Sequence, residues 1–420
     1  MHEFVQMPDG GFVFLFVGLF IWYLSKSSNP SLENPSSVKG WFKLCRKSLN
    51  QFELLEDESE FLIKSKDREK ALDEIIKRSN TQNISLISTK FVDLPNLQIF
   101  QRAFKGANSF NLSIAPSLSL NDENWNFPSL FLEQEALIYY LPLPLRAVDL
   151  LWLEKVPQDQ PSWIITKPEE NDDWIMQLKM LNSQLPERWT NRILKFDGTE
   201  DQIIKTLTPI KRFLDQPHKN IDLTNQRLLS KLYQSLQTDL EKLRRNKFRT
   251  IQNRSQWIVA GAVFASPVPS TDLLSVAVVN GLMIQEMGKL WDCNISPKLL
   301  KQVANKLAIA ALGQGVAEWS GQALLGAAKL HGGSWLAAGT MQALSAAYLT
   351  RVVGRSMADW MALNKGVSQP DLELLKTQAP GLIANAANEE KVDWSLFLNQ
   401  ANSWVNQFVK NQILKSNPAF

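Results

Sequence analysis

The stretch Trp257–Asp292, WIVAGAVFASPVPSTDLLSVAVVNGLMIQEMGKLWD, joins two apolar halves through a polar hinge that contains two prolines. Residues 257–265 and 273–284 are each as hydrophobic as a membrane span, yet neither reaches the roughly 20 residues a spanning helix needs. Proline removes a backbone donor and clashes with the preceding turn, and an aspartate at bilayer depth costs about 2.5–3.5 kcal/mol on insertion scales. The stretch therefore predicts a bent helical hairpin with its hinge at Pro267, Pro269 and Asp272. Asp272 follows Ser270 and Thr271 and precedes an apolar run, so it reads first as the N-cap of the second helix. A polar lid or proton-sensitive site at the hinge is the alternative.

On the N-terminal side, Leu223–Arg249 predicts a helix whose end carries Lys242, Arg244, Arg245, Lys247 and Arg249, with Arg254 and Trp257 just beyond. Basic residues beside an apolar segment form a candidate anionic-lipid patch, worth about 1 kcal/mol per charge near the surface. A solvated helix face is the competing reading. On the C-terminal side, 307–328 and 336–349 are rich in Ala and Gly, with small residues four apart as in Ala343 and Ala347, a spacing that lets helix backbones approach closely. Lys306, Glu318, Lys329 and His331 interrupt these runs, which favours a bundle lying on or dipping into a bilayer over several full spans.

The segment Thr250–Gly366 resembles the YcjF-like (DUF697) family of bacterial domains of unknown function, which are often fused behind a GTPase domain. The matching residues are Ala260-Gly261, the Pro267-x-Pro269-x-x-Asp272 hinge, Leu282–Met287 with Trp291, and Gln342–Thr350 with Val353-Gly354-Arg355. Ser270 stands where a glycine is usual. The resemblance implies membrane association in a bacterial cell and a largely helical fold, and it brings no defined reaction.

The preceding region alternates strand and helix patterns. Ile84–Ser88, Phe110–Ala115, Ala136–Leu141, Trp163–Thr166 and Arg192–Phe196 read as strands, Leu145–Lys155 as a helix, and a further helix reaches Leu214. That alternation predicts an α/β domain with a mainly parallel sheet. Its order and spacing look like those of a small GTPase core without the catalytic parts. Only Gly106 and Gly198 occur between Trp41 and Ala260, against eleven glycines in 261–354, so no glycine-rich loop is present to cradle a phosphate. Thr166-Lys167-Pro168-Glu169 and Asp93-Leu94-Pro95-Asn96 are loose echoes of guanine-specifying and switch motifs, and ordinary strand-end loops explain them as well.

At the N-terminus, Gly11–Leu24 (GFVFLFVGLFIWYL) is apolar throughout. Glu3 and Asp9 precede it, and Lys26, Lys39, Lys43, Arg46 and Lys47 follow it, an order that keeps the bulk of the chain on the cytoplasmic side. Trp22, Tyr23 and Lys26 are its candidate interface residues. The run covers about 21 Å, short of a hydrocarbon core of about 30 Å, so a helix buried in a protein core stays open. At the other end, Trp394, Phe397, Leu398, Ala401, Trp404, Val405, Phe408 and Ile413 give Asp393–Leu414 one apolar face, suited to docking on the chain's own core.

The 420 residues comprise 45% hydrophobic and 21% charged residues, and the net charge of +3 gives no nucleic-acid signature. Mean hydropathy of −0.17 is too low for a polytopic transporter. Cys45 and Cys293 lie far apart, and the three histidines are scattered, so neither disulfide, metal set nor catalytic triad is indicated. Acidic runs such as Glu53–Glu60 read as solvated faces. The fold class expected is α+β multidomain, a degenerate GTPase-like α/β domain followed by an α-helical, membrane-associated domain. The divisions are 1–30 anchor, 31–80 polar helical linker, 81–216 α/β domain, 217–368 helical domain and 369–420 amphipathic tail. The function expected is a non-catalytic scaffold at a bacterial inner or internal membrane, with no cofactor and no catalytic residue. Anionic lipid head groups and an unidentified protein, self-association included, are its expected partners. A divergent GTP-binding hydrolase and a soluble helical interaction protein are the alternatives.

Overall fold

A computed structural model of the chain describes residues 35–90, 97–104, 106, 109–115, 117–118, 127–141, 143–167, 174–196, 199–265, 269–293, 296–331, 340–363 and 372–416. Among these, Pro35–Thr238 and Asp239 onward form two compact units. The expected anchor with Trp22, Tyr23 and Lys26, the hinge residue Pro267 and the Asp93–Asn96 motif lie outside the described residues.

The first unit opens with a helical hairpin, α1 (Val38–Leu55) and α2 (Glu58–Ile76). Ser37 caps α1 by accepting from the Gly40 N–H, and the helix buries Cys45, Leu49, Phe52 and Leu55. Glu56, in the connecting turn, takes both arms of Arg68 at 2.7 Å, and that guanidinium lies 3.5 Å from the centre of the Phe52 ring. Within the expected polar helical linker, residues 38–76 thus form a packed helical hairpin. The Cys45 thiol reaches the Leu229 carbonyl at 3.4 Å, and Gln237 donates to Ser48 at 2.7 Å. The expectation that Glu53–Glu60 is wholly solvated fails at Glu56, whose partner sits 12 residues away on the next helix.

A parallel five-stranded sheet follows, with β1 (Gln82–Ile87), β2 (Phe110–Ile114), β3 (Ala136–Leu141), β4 (Ser162–Thr166) and β5 (Ile193–Lys195) in the order β2-β1-β3-β4-β5. All six residues of the central strand β3 are buried, which is why ALIYYL lacks the alternation of a half-exposed strand. One face, with Ile84, Leu86, Ile138 and Ile165, packs on α3 (Leu97–Ala103), α7 (Glu200–Thr206) and α8 (Thr208–Leu214). The other, with Ile87, Leu137, Leu141 and Ile164, packs on α4 (Ser129–Leu132), α5 (Ala147–Lys155) and α6 (Trp174–Gln184). Fully burying one such side chain contributes about 1.5–3 kcal/mol, so a sheet covered on both faces holds this unit together. The strands match the sequence reading to within two residues, while the expected helix to Leu214 is divided into α7 and α8.

The second unit is helical. It comprises the C-terminal part of α9 (Pro217–Ala265) with α10 (Pro269–Leu290), α11 (Pro297–Gly313), α12 (Val316–His331), α13 (Thr340–Leu363), α14 (Leu372–Val392) and α15 (Trp394–Ser416). The predicted helix 223–249 and the first apolar half of the hairpin are one continuous helix. No proline or glycine interrupts 218–260, so nothing breaks it there. α10 begins at Pro269, a residue suited to the first helical position, which puts Asp272 inside the first turn instead of at the N-cap. At its other end Asp292 adopts φ 50°, and the Cys293 N–H returns to the Gly288 carbonyl at 2.9 Å, closing the helix.

Met283, Met287, Trp291, Leu344, Tyr348 and Phe397 lie in one core. Gly354 lets α13 approach α10 closely, since a Cβ there would stand 3.2 Å from the Met283 methyl. The apolar face of α15 docks on this core as its periodicity predicts, with Phe397 and Ala401 fully buried and Val405 nearly so. Among the described residues no helix is long and apolar enough to cross a membrane.

Candidate functional site

Two places bring chemistry together, one in each unit. In an open parallel sheet, ligands bind outside the carboxyl ends of the strands where the strand order reverses. Here that point lies between β1 and β3. Tyr139 of β3 donates to Asp149 Oδ1 at 3.0 Å, and Arg146 Nε donates to Asp149 Oδ2 at 3.0 Å. Thr89, just past β1, donates to Asp149 and accepts from Arg146 Nη2. Asp149 is fully buried, whereas 35% of the Arg146 side chain is exposed. Burial, followed by the Asp149 charge, pushes the Tyr139 phenol well above its usual range, so it serves as a hydrogen-bond donor. The cluster satisfies these groups with one another at the β1–β3 end of the sheet. Sequence reading missed it because Arg146 and Asp149 meet Thr89 only through the β1–β3 pairing. Thr166 ends β4 with its hydroxyl donated to the Leu141 carbonyl at 2.9 Å, a strand-end role, and Lys167 follows it.

The second place is the α9–α10 hairpin. Arg244, expected at a lipid surface, is 1% exposed and donates Nε to the Leu290 carbonyl at 2.9 Å. Arg245 pairs with Glu241 at 2.7 Å and with Asp359 at 2.6 Å. Glu241 also accepts from the Trp291 indole at 2.9 Å. Burial raises the Asp359 carboxyl above the ordinary carboxylate range, against the opposing pull of Arg245. Arg254 pairs with Glu286, and Lys247 and Arg249 are exposed. Trp257 is half-buried and stacks on Phe397 and Trp404, with ring centres 5.9 and 5.8 Å apart. The structure therefore does not gather these residues into one basic patch. Acidic partners divide them; Glu241 lies four residues before Arg245 on the same helix, a spacing that sequence shows, whereas Asp359 and Glu286 lie on other helices.

The same contacts fix helix directions. Arg254–Glu286 and Arg244–Leu290 make α9 and α10 antiparallel. Gln252 donating to the Arg351 carbonyl at 2.9 Å and the Arg245–Asp359 pair make α9 and α13 antiparallel. Trp257 on Phe397 and Phe264 on Trp404 make α9 and α15 parallel. Extending these registers at 1.5 Å per residue, the stretch from beyond Arg254 to Ala265 stands beside about 275–285 of α10, about 340–348 of α13 and about 395–405 of α15. None of these segments contains Asp, Glu, Lys, Arg or His, in a chain of which 21% is charged. The fold thus assembles an uncharged band about 16 Å deep from four segments far apart in sequence.

Residues 227–388, which include most of this band, match the model of a family described as a domain of unknown function, DUF697. The chain contains a DUF697 domain. The DUF697 match extends beyond Thr250–Gly366 at both ends and covers no part of the five-stranded sheet. No curated protein and no solved structure matches the chain. Within the DUF697 domain, Pro269 and Asp272 occupy the first turn of α10. Among the described residues, no three of His, Cys, Asp and Glu gather as a metal site.

Proposed function

We propose that the protein is a non-catalytic scaffold at a membrane surface, held there by the DUF697 domain and the N-terminal apolar run, with a degenerate GTPase-like unit as its second part. The uncharged band of α9, α10, α13 and α15 carries this reading. Four neighbouring segments that carry no Asp, Glu, Lys, Arg or His over about 16 Å are expensive to solvate at no benefit in water, and they suit the boundary between head groups and acyl chains. The cluster of Arg146, Asp149, Thr89 and Tyr139 at the β1–β3 switch point, where these groups pair with one another, supports a unit that no longer turns over nucleotide.

Fractionation of cells expressing the full chain and residues 31–420 tests the membrane role. Both should sediment with membranes and be released by detergent but not by high salt. Recovery of both in the supernatant would instead favour a soluble interaction protein.

A second reading, a divergent GTP-binding protein, draws support from the exposed part of Arg146 at the switch point of the sheet. Equilibrium binding of a fluorescent GTP analogue separates the two. Micromolar affinity sinks the scaffold-only reading, and absence of binding sinks the hydrolase.

A further inference from the structure

The geometry points to one face of the bundle, the outer face of the α9–α10 hairpin, as the surface that meets an anionic bilayer, lying tilted in one leaflet; this inference rests on the membrane role proposed above. On α9, Lys247, Arg254, Ile258 and Ala265 follow one another at spacings of seven, four and seven, so they share one stripe of the helix. All four are exposed, Ile258 to 49%. On α10, Leu282, Gln285 and Lys289 are exposed, Leu282 to 52%, with the half-exposed Glu286 among them.

The Arg254–Glu286 pair joins the two stripes and places Leu282 beside Ile258, one turn nearer the hinge. The combined face is therefore graded. Towards the base it offers Lys247 and Lys289 about a neutralised ion pair, and towards the hinge it offers Ile258, Leu282 and Ala265 with no charge. A bilayer is graded in the same way over a similar distance, with anionic phosphates outside and acyl chains within. A tilted hairpin satisfies both ends at once.

The α15 side of the band does not suit lipid. α15 exposes Ser395, Asn399 and Ser403 there, with Leu396 the one apolar side chain among them. The hairpin is also unsuited to crossing, because α9 below Arg254 is charged and no described helix qualifies as a span.

Single-cysteine labelling of the full chain tests the assignment, with Cys293 replaced by serine. Cys45 can remain, since it is buried and its thiol is pushed up to about 11 by burial, which leaves it unreactive near neutral pH. A polarity-sensitive fluorophore is placed at 258, 282 or 403, and the protein is mixed with phosphatidylcholine vesicles, with or without phosphatidylglycerol, carrying brominated acyl chains. Labels at 258 and 282 should be quenched and the label at 403 should not. Lys247→Gln and Lys289→Gln should each weaken binding to the anionic vesicles by roughly fivefold, the equivalent of about 1 kcal/mol per charge, and leave binding to neutral ones unchanged. Binding without quenching at 258 and 282 overturns this face while leaving the membrane role intact. Equal quenching at all three sites means the whole bundle is embedded and overturns it too. Failure to bind either vesicle removes the membrane role itself.

Discussion

Arg351 of α13 and Glu390 of α14 form a buried ion pair, Nε to Oε2 at 2.6 Å, with 6% and 1% of their side chains exposed. Arg355 adds a second contact to Glu390 at 3.0 Å, while the Arg351 carbonyl accepts from Gln252 of α9. Two charges taken from water cost several kcal/mol, and only their mutual pairing offsets this. Glu390→Leu and Arg351→Met should therefore each cost about 3–5 kcal/mol by stranding the partner charge, whereas the two replacements together should recover most of the loss. Urea unfolding of the two single variants and the double variant measures the coupling. Strictly additive losses would mean that the pair does not act as a unit.

Tyr348 is fully buried among Trp319, Trp394 and Phe397, and its hydroxyl has no hydrogen-bond partner among the described residues. Burial, then the charge of Glu390, pushes its phenol well above the usual range. A group whose folded pKa is raised contributes stability below its unfolded value near 10 that is lost as pH climbs above it, at up to about 1.4 kcal/mol per pH unit. Tyr348→Phe should leave stability at pH 7 unchanged or slightly higher and flatten the decline above pH 10. Thermal unfolding at pH 7, 10 and 11 checks this. A large loss at pH 7 would show that the hydroxyl has a partner after all.

At Gly354 an added Cβ would meet the flexible end of Met283 at 3.2 Å and Phe248 at 3.8 Å. Gly354→Ala should be nearly neutral, because helix propensity gains about 0.5–1 kcal/mol against a contact that Met283 relieves by moving. Gly354→Leu should cost about 1–3 kcal/mol, part of it restored by Met283→Ala. Denaturant midpoints for the three variants decide the matter.

Arg244 lies inside the bundle and serves the C-terminal carbonyl of α10, while Lys247 and Arg249 face outward on the same helix. Arg244→Ala should cost about 2 kcal/mol or more, and Lys247→Ala and Arg249→Ala should stay within about 0.5 kcal/mol of the parent. Similar losses for all three would contradict this division.

Removing Arg146 leaves Asp149 buried without its guanidinium. Arg146→Ala should cost about 3 kcal/mol, and Asp149→Asn should cost less, because an amide oxygen still accepts from Tyr139 and Thr89. Chemical unfolding followed by circular dichroism reads both, and the reverse ranking would refute the assignment.

Local pattern alone determined a good part of this. ALIYYL at 136–141 matched its strand boundaries because a fully buried parallel strand is written as a continuous apolar run. The start of the second helix of the hairpin at Pro269 followed from the helix-start preference of proline, and the buried face of α15 followed from a 3.6-residue period. The fate of the basic run was not legible. Arg244, Arg245 and Arg254 look alike on one helix, and what distinguishes them is Leu290, Asp359 and Glu286 on other helices. The Thr89–Asp149 cluster and the band across four helices were hidden for the same reason. Hydrophobic period and proline act within one segment, so sequence carries them openly. Charge pairing and the alignment of uncharged segments depend on which helices become neighbours and in what register, and only tertiary packing sets that.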